Sequence, residues 1–128
     1  MSDIKESEFW LEGAKKVSNS GESEKEKYTV AVAMTIHSII KANDALTVKF
    51  MNKRAVRHDE APELFRQLVQ FNKIPAKFSD LRLSVLAPAI QIKSKADYKG
   101  FEASKSDTER WIRSADKFLN AVKECLNE

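Results

Sequence analysis

The segment from Ser23 to Met51 constrains the fold of this chain more than any other. Its middle, YTVAVAMTIHSIIKANDALTVKFM, carries apolar residues on more than one side of a helix: Tyr28, Val32, Ile36, Ile39, Ile40, Leu46 and Phe50. A helix that is apolar on several sides needs neighbours on several sides. We therefore predict a long helix over Ser23–Met51 at the centre of a helical bundle.

Four further segments carry apolar residues at helical spacing. They are Asp3–Val17, Asp59–Asn72, Ala76–Lys95 and a last helix that begins near Ser106. In the first of them, Phe9, Trp10, Ala14 and Val17 form the apolar set. The third helix in chain order, over Asp59–Asn72, is predicted to be a short one.

Local signals predict how three of these helices begin or bend. Asp59 is a suitable N-cap, and Pro62 then falls in the first turn, where its missing N–H costs little. Pro88 removes a backbone hydrogen bond inside the fourth predicted helix, which predicts a kink. Ser106 and Glu109 have the spacing of a capping box for the last helix.

Composition favours few, long elements. The chain has 128 residues with only 3 Gly and 3 Pro, and turns depend on those residues. The length suits a single domain over residues 1–128. We predict an all-α fold, an antiparallel up-down four-helix bundle with one additional short helix.

Several classes of function are disfavoured. A single Cys, Cys125, allows no intramolecular disulfide, and one Cys with two His is too few for the usual four Cys and His ligands of a structural zinc site. The three Gly stand apart, so there is no phosphate-binding loop. We expect neither a metal nor another cofactor. No signal-peptide or membrane-spanning run is present, and we expect a cytoplasmic protein.

A basic segment follows the central helix. Lys49, Lys53, Arg54 and Arg57 lie within ten residues that contain no acid. Such a cluster is suited to phosphate or to an acidic partner. The alternative is that these charges only solvate a loop.

Three polar residues stand among the apolar residues of the predicted central helix. His37, Lys41 and Asp44 are spaced by four and three residues, which places them on one face. They form either a solvated edge or a polar seam at an interface.

His58 ends the basic segment. An imidazole beside the guanidinium groups of Arg54 and Arg57 is suited to general acid–base chemistry on a phosphodiester. The alternative is that His58 packs at the start of the next helix. His58, Arg54 and Arg57 are therefore weak candidates for catalysis.

The stretch KADYKGF between the last two helices is a junction with two noteworthy side chains. Lys95 places positive charge at a helix C-terminus, where the helix dipole favours it. With Tyr98 it could add to a binding surface for phosphate, RNA or a partner.

Three stretches together resemble the HEPN family of prokaryotic helical bundles: IHSIIKANDALTVKF, KRAVRHDEAPELF and KADYKGFEASKSDTERWIRSADKFLNAV. The first matches a His-x-x-Ile-x-x-x-Asp-Ala element, on His37, Ile40, Asp44 and Ala45. The second and third match on His58, Glu60 and Ala61, and on Lys95 and Tyr98.

The resemblance implies a bundle of four or five helices, frequent homodimers, and association with RNA or with a nucleotidyltransferase. Many members are metal-independent ribonucleases whose Arg and His stand further apart than Arg54 and His58, which have three residues between them. At the position of that pair, this chain has KADY.

We therefore expect a non-catalytic, homodimeric module that binds a partner protein or RNA. Two alternatives remain open at this point. One is a metal-independent ribonuclease that uses Arg54 or Arg57 with His58. The other is a nucleotide-binding bundle that holds its ligand with Lys53, Arg54, Lys95 and Tyr98.

Overall fold

A computed structural model describes residues 2–21, 25–96 and 101–127, and only the backbone of His58, Lys95 and Ala96. The described residues form an all-helical protein, as predicted. Its five α-helices are α1 (Asp3–Ser18), α2 (Glu26–Met51), α3 (Ala61–Gln70), α4 (Ala87–Ala96) and α5 (Lys105–Leu126). Shorter helical turns lie at His58–Glu60 and Ala76–Phe78, and a π-helical turn lies at Arg82–Leu86.

The long helix α2 is the centre of the fold, as its apolar residues predicted. It contacts α1, α3, α4 and α5. Its buried side chains include Val32, Ile36, Ile39 and Leu46. The predicted start at Ser23 lies outside the described residues, and the helix begins at Glu26.

Hydrogen bonds and ion pairs fix the directions of three helices. Ser7 in α1 and Ser38 in α2 exchange hydroxyl-to-carbonyl hydrogen bonds of 2.7 and 2.8 Å. Gly13, further along α1, lies beside Met34, which precedes Ser38 in α2, so these helices are antiparallel. Near the start of α5, the Thr108 hydroxyl donates to the Tyr28 carbonyl at 3.2 Å. The two helices therefore begin together, and α5 runs parallel to α2.

The core surrounds α2 and receives buried side chains from all the other α-helices that the structure describes. The rings of Phe65 and Phe118 are both fully buried, with centroids 6.0 Å apart. The apolar stripe predicted for the last helix supplies buried residues along α5: Trp111, Ala115, Phe118, Leu119 and Val122. The predicted period of that helix is thus confirmed.

The prediction that Asp59 caps α3 is wrong. A short 3-10 turn precedes the helix, and Glu60 occupies the N-cap position without a side-chain cap. The Asp59 carboxylate instead accepts two hydrogen bonds of 3.1 Å from Arg57. Pro62 does fall in the first turn, as predicted.

The helix predicted over Ala76–Lys95 begins later than expected, because the backbone is helical without a break only from Leu81 onward. The segment divides into the turn at Ala76–Phe78, the π-helical turn at Arg82–Leu86 and α4. The π-helical turn ends two residues before Pro88, and the Ala87 N–H donates to the Arg82 carbonyl. Because Pro88 has no N–H, the regular ladder cannot continue unchanged at this point.

The cap of α5 lies two residues earlier than predicted. The N-cap is Ser104 rather than Ser106, and the acidic partner is Asp107 rather than Glu109. The Ser104 hydroxyl accepts from the Asp107 N–H, and the Asp107 carboxylate accepts from the Ser104 N–H, both at 3.0 Å. The hydrogen bond from the Ser104 N–H holds the pKa of Asp107 below its ordinary value of 3.8.

Candidate functional site

The basic segment lies at the C-terminal end of α2 and in the connection that follows. Arg54 donates to the Asp3 carboxylate at 2.6 Å, and the side chain of Asp3 is only 5% exposed. Arg57 is held by Asp59 and, at 3.9 Å, by Glu60. The acids that this segment lacks in sequence are thus supplied by α1 and by the start of α3.

A pocket of about 340 Å³ brings two of the predicted binding residues together. It lies between the first turn of α1, the last turn of α2 and the end of α5. Its lining consists of Ser2, Asp3, Ile4, Ala45, Val48, Lys49, Arg54 and Leu126. Lys53 and Arg57, both exposed, are not part of this lining.

The two cations of this pocket are engaged inside the protein. Lys49 donates to the Leu126 carbonyl at 3.2 Å. Arg54 is bound to the Asp3 carboxylate, which would also repel an incoming anion. The pocket is therefore suited to a weak anion contact rather than to a strong phosphate site.

Three predicted site residues fall outside what the structure describes. His58 lies in the turn before α3 and Lys95 in the last turn of α4, but their side chains are not among the described ones. Tyr98 lies outside the described residues altogether. The catalytic role considered for His58 and the binding role of Lys95 and Tyr98 stay predictions.

The polar residues of α2 lie along its boundary with α1. The ring of His37 stacks on Trp10, with centroids 4.8 Å apart and an angle of 22° between the planes. Lys41 pairs with Glu6 at 3.3 Å and with Asp3 at 3.9 Å. Asp44 is buried. His37 and Lys41 thus help to join two helices of the same chain.

Large apolar side chains are exposed beside this boundary. Phe9 is 69% exposed, Trp10 37% and Val30 49%. Together with Glu6 and Met34, the two aromatic residues line a shallow pocket of about 330 Å³. We call the surface formed by Phe9, Trp10, Val30 and Met34 the apolar face.

The apolar set of the first predicted helix, Phe9, Trp10, Ala14 and Val17, does not form its buried side, since Phe9 and Trp10 are exposed and only Ala14 is buried. The buried side of α1 consists of Asp3, Ile4, Ser7, Leu11 and Ala14. Two of these are polar, which hides the buried stripe from a search for apolar spacing. The signal that was available is the adjacency of Phe9 and Trp10, since neighbours on a helix point about 100° apart.

Other chemistry finds no support among the described residues. They contain no group of three or more His, Cys, Asp or Glu side chains that could hold a metal ion. Cys125 is half-buried, and burial raises the pKa of its thiol, which lowers its reactivity. Within the described ranges, no helix has the length and apolar character needed to cross a membrane.

No protein-family model matches the chain, and no curated protein matches it.

Proposed function

We propose that this chain is a non-catalytic helical module, HEPN-like in its motifs, that acts as a homodimer and binds a partner protein such as a nucleotidyltransferase, or RNA. In this proposal α1, α2, α4 and α5 form an antiparallel up-down bundle, and α3 is the additional short helix. The antiparallel packing of α1 on α2 and the parallel direction of α5 agree with that arrangement.

The apolar face carries the proposal. Large apolar side chains that stand together on a surface mark sites where proteins bind each other. Aromatic residues are also enriched at the centres of such interfaces. Phe9 is more than two-thirds exposed although fully buried positions exist a few residues away on the same helix. An interface accounts for this placement, and the stability of the single chain does not.

The ion pairs of Arg54 and Arg57 support the non-catalytic part. An arginine that stabilises a phosphate during cleavage needs donors directed at the phosphate. Both guanidinium groups instead bind carboxylates of their own chain, Asp3 and Asp59. Binding of RNA, if it occurs through Lys49, Lys53 and these arginines, is therefore weak and strongly dependent on salt.

Two measurements test the proposal. Sedimentation equilibrium of the purified protein should give a mass that rises toward that of a dimer with increasing concentration. Incubation with a single-stranded RNA should give no cleavage above that of a mock preparation. A strict monomer would refute the homodimer, and cleavage that is lost in His58→Ala but kept in His37→Ala would refute the non-catalytic assignment.

A further inference from the structure

The outward side of α1 has a regular pattern of its own. Glu6, Phe9, Gly13 and Lys16 follow one another at spacings of three, four and three residues. This is the spacing at which side chains on one face of a helix meet a neighbouring helix. Phe9 and Lys16 are exposed, and Glu6 and Gly13 are partly exposed. We call these four residues the outer stripe of α1.

The outer stripe of one copy is complementary to the outer stripe of a second copy that runs in the opposite direction. It runs from acid to large aromatic to glycine to base. Two antiparallel copies related by a two-fold axis level with Leu11 would place Phe9 opposite the partner copy's Gly13. The same axis would place Glu6 opposite the partner copy's Lys16. The Phe9 ring then meets the Met34 side chain that lies beside Gly13, and acid meets base, both around one axis.

The surroundings of Gly13 provide an apolar surface for an incoming ring. A Cβ placed on Gly13 would lie 2.5 Å from the Cε atom of Met34. The end of the Met34 side chain therefore lies across the position where any other residue would project. Methionine adapts its shape to its neighbours and makes favourable contacts with aromatic rings. The shallow pocket beside it is lined by Glu6, Phe9, Trp10 and Met34.

We infer that a second copy of this chain covers the apolar face, with the two α1 helices packed antiparallel through their outer stripes. This inference rests on the proposed homodimer and specifies its interface. An isologous interface requires one patch to complement itself, and the outer stripe meets that requirement twice. A different protein on this face would require no such reversal of charge and size along α1.

The two charge contacts allow a decisive mixing experiment. Glu6→Lys would place two lysines opposite each other at both ends of the interface, and Lys16→Glu would place two glutamates there. Each variant alone should dimerise about tenfold or more weakly than the wild type, because like charges face each other twice. An equimolar mixture of the two variants should recover dimers, since every contact in the mixed pair again joins acid and base.

Sedimentation velocity on each variant and on the mixture gives the readout. Lys117→Glu, which reverses an exposed charge on α5, is the matched control and should dimerise like the wild type. Because Glu6 also pairs with Lys41, circular dichroism must show that each variant is folded. Phe9→Ala, which leaves all charges in place, should also weaken the dimer and provides a second variant if Glu6→Lys does not fold.

The outcomes separate this inference from the proposed function. Weak dimers for each variant and recovered dimers in the mixture would support the two-fold arrangement. Unchanged dimers in both charge variants and in Phe9→Ala would overturn the interface while leaving the homodimer intact. A wild-type protein that stays monomeric at the highest soluble concentration would overturn both.

Discussion

Two regions of this protein are rich in aromatic and aliphatic side chains, and they have opposite environments. Between α2, α3 and α5, Phe65 and Phe118 are fully buried against each other. On the outside of α1, Phe9 is 69% exposed, and Trp10 beside it is 37% exposed. The same residue types thus stabilise the chain in one region and are available to another molecule in the other. Apolar content alone therefore does not identify the core of a small helical protein.

The largest expected effect separates these two regions directly. Phe118→Ala should lower the free energy of unfolding by about 3–5 kcal/mol, because it leaves a cavity in the core. Phe9→Ala should change it by no more than about 0.5 kcal/mol, because an exposed residue loses few contacts. Urea unfolding, followed by circular dichroism at a concentration where the protein is monomeric, measures both. A large loss of stability for Phe9→Ala would erase the distinction.

The same contrast holds for ionic groups. Asp3→Asn removes the charge from a buried carboxylate that binds Arg54 and lies near Lys41. We expect a loss of about 1–2 kcal/mol, toward the lower end of the range for hydrogen bonds to charged groups, because Arg54 is about half exposed and the Asn amide oxygen can still accept. The control is Asp59→Asn, whose pair with Arg57 is exposed on both sides. It should cost less than about 0.5 kcal/mol in the same unfolding assay.

The start of α5 offers a sharper comparison between two nearby serines. Ser104→Ala should lower the free energy of unfolding by about 1 kcal/mol, because it removes the hydroxyl that caps the helix. Ser106→Ala should be close to neutral, since Ser106 is exposed and lies inside the helix. If the two substitutions cost the same, or Ser106→Ala costs more, the helix starts where the sequence pattern alone predicted.

The smallest expected effect is the contribution of the Asp107 carboxylate to the free energy of unfolding, which depends on pH. The backbone N–H of Ser104 holds the pKa of Asp107 below 3.8 in the folded protein. A carboxyl whose pKa is lowered by folding stabilises the protein above its unfolded pKa, and this contribution is lost as the pH falls through the folded value. Asp107→Asn should therefore cost about 0.3–0.5 kcal/mol at pH 6. The difference from the wild type should shrink below pH 3.8, as measured by urea unfolding across that range.

Much of the framework could be predicted from spacing because long amphipathic helices repeat their signal. The apolar period of α5 extends over Trp111 to Val122, so the same helical spacing recurs over several turns. The several apolar sides of α2 likewise predicted its central place. In both cases the apolar residues in the sequence of one helix are enough to predict which of its sides is buried.

The start of α5 was harder to predict, because two overlapping capping-box patterns occur there. Ser104 with Asp107 and Ser106 with Glu109 have the same spacing, so local sequence gives no basis for choosing. Contacts distant in sequence distinguish them. Thr108 donates to the Tyr28 carbonyl, and the Ala103 N–H donates to the Thr29 hydroxyl at 3.0 Å. These bonds to α2 fix where α5 begins.

The candidate sites were harder to predict than the helix starts, because they also depend on contacts between residues distant in sequence. Arg54 and Asp3 are 51 residues apart, and no local pattern indicates that they bind. The basic segment therefore looked more strongly charged in sequence than it is in the fold. The exposed position of Phe9 was hidden because Asp3 and Ser7, both polar, occupy buried positions on α1.

Sedimentation equilibrium of the wild type beside Phe9→Ala tests the central claim most directly. The claim is that the outer side of α1 is an interface and contributes little to the stability of the single chain. We predict that the wild type dimerises as its concentration rises, and that Phe9→Ala stays monomeric at the same concentrations with an unchanged free energy of unfolding. A wild type that remains monomeric, or a Phe9→Ala variant that dimerises as well as the wild type, would contradict it.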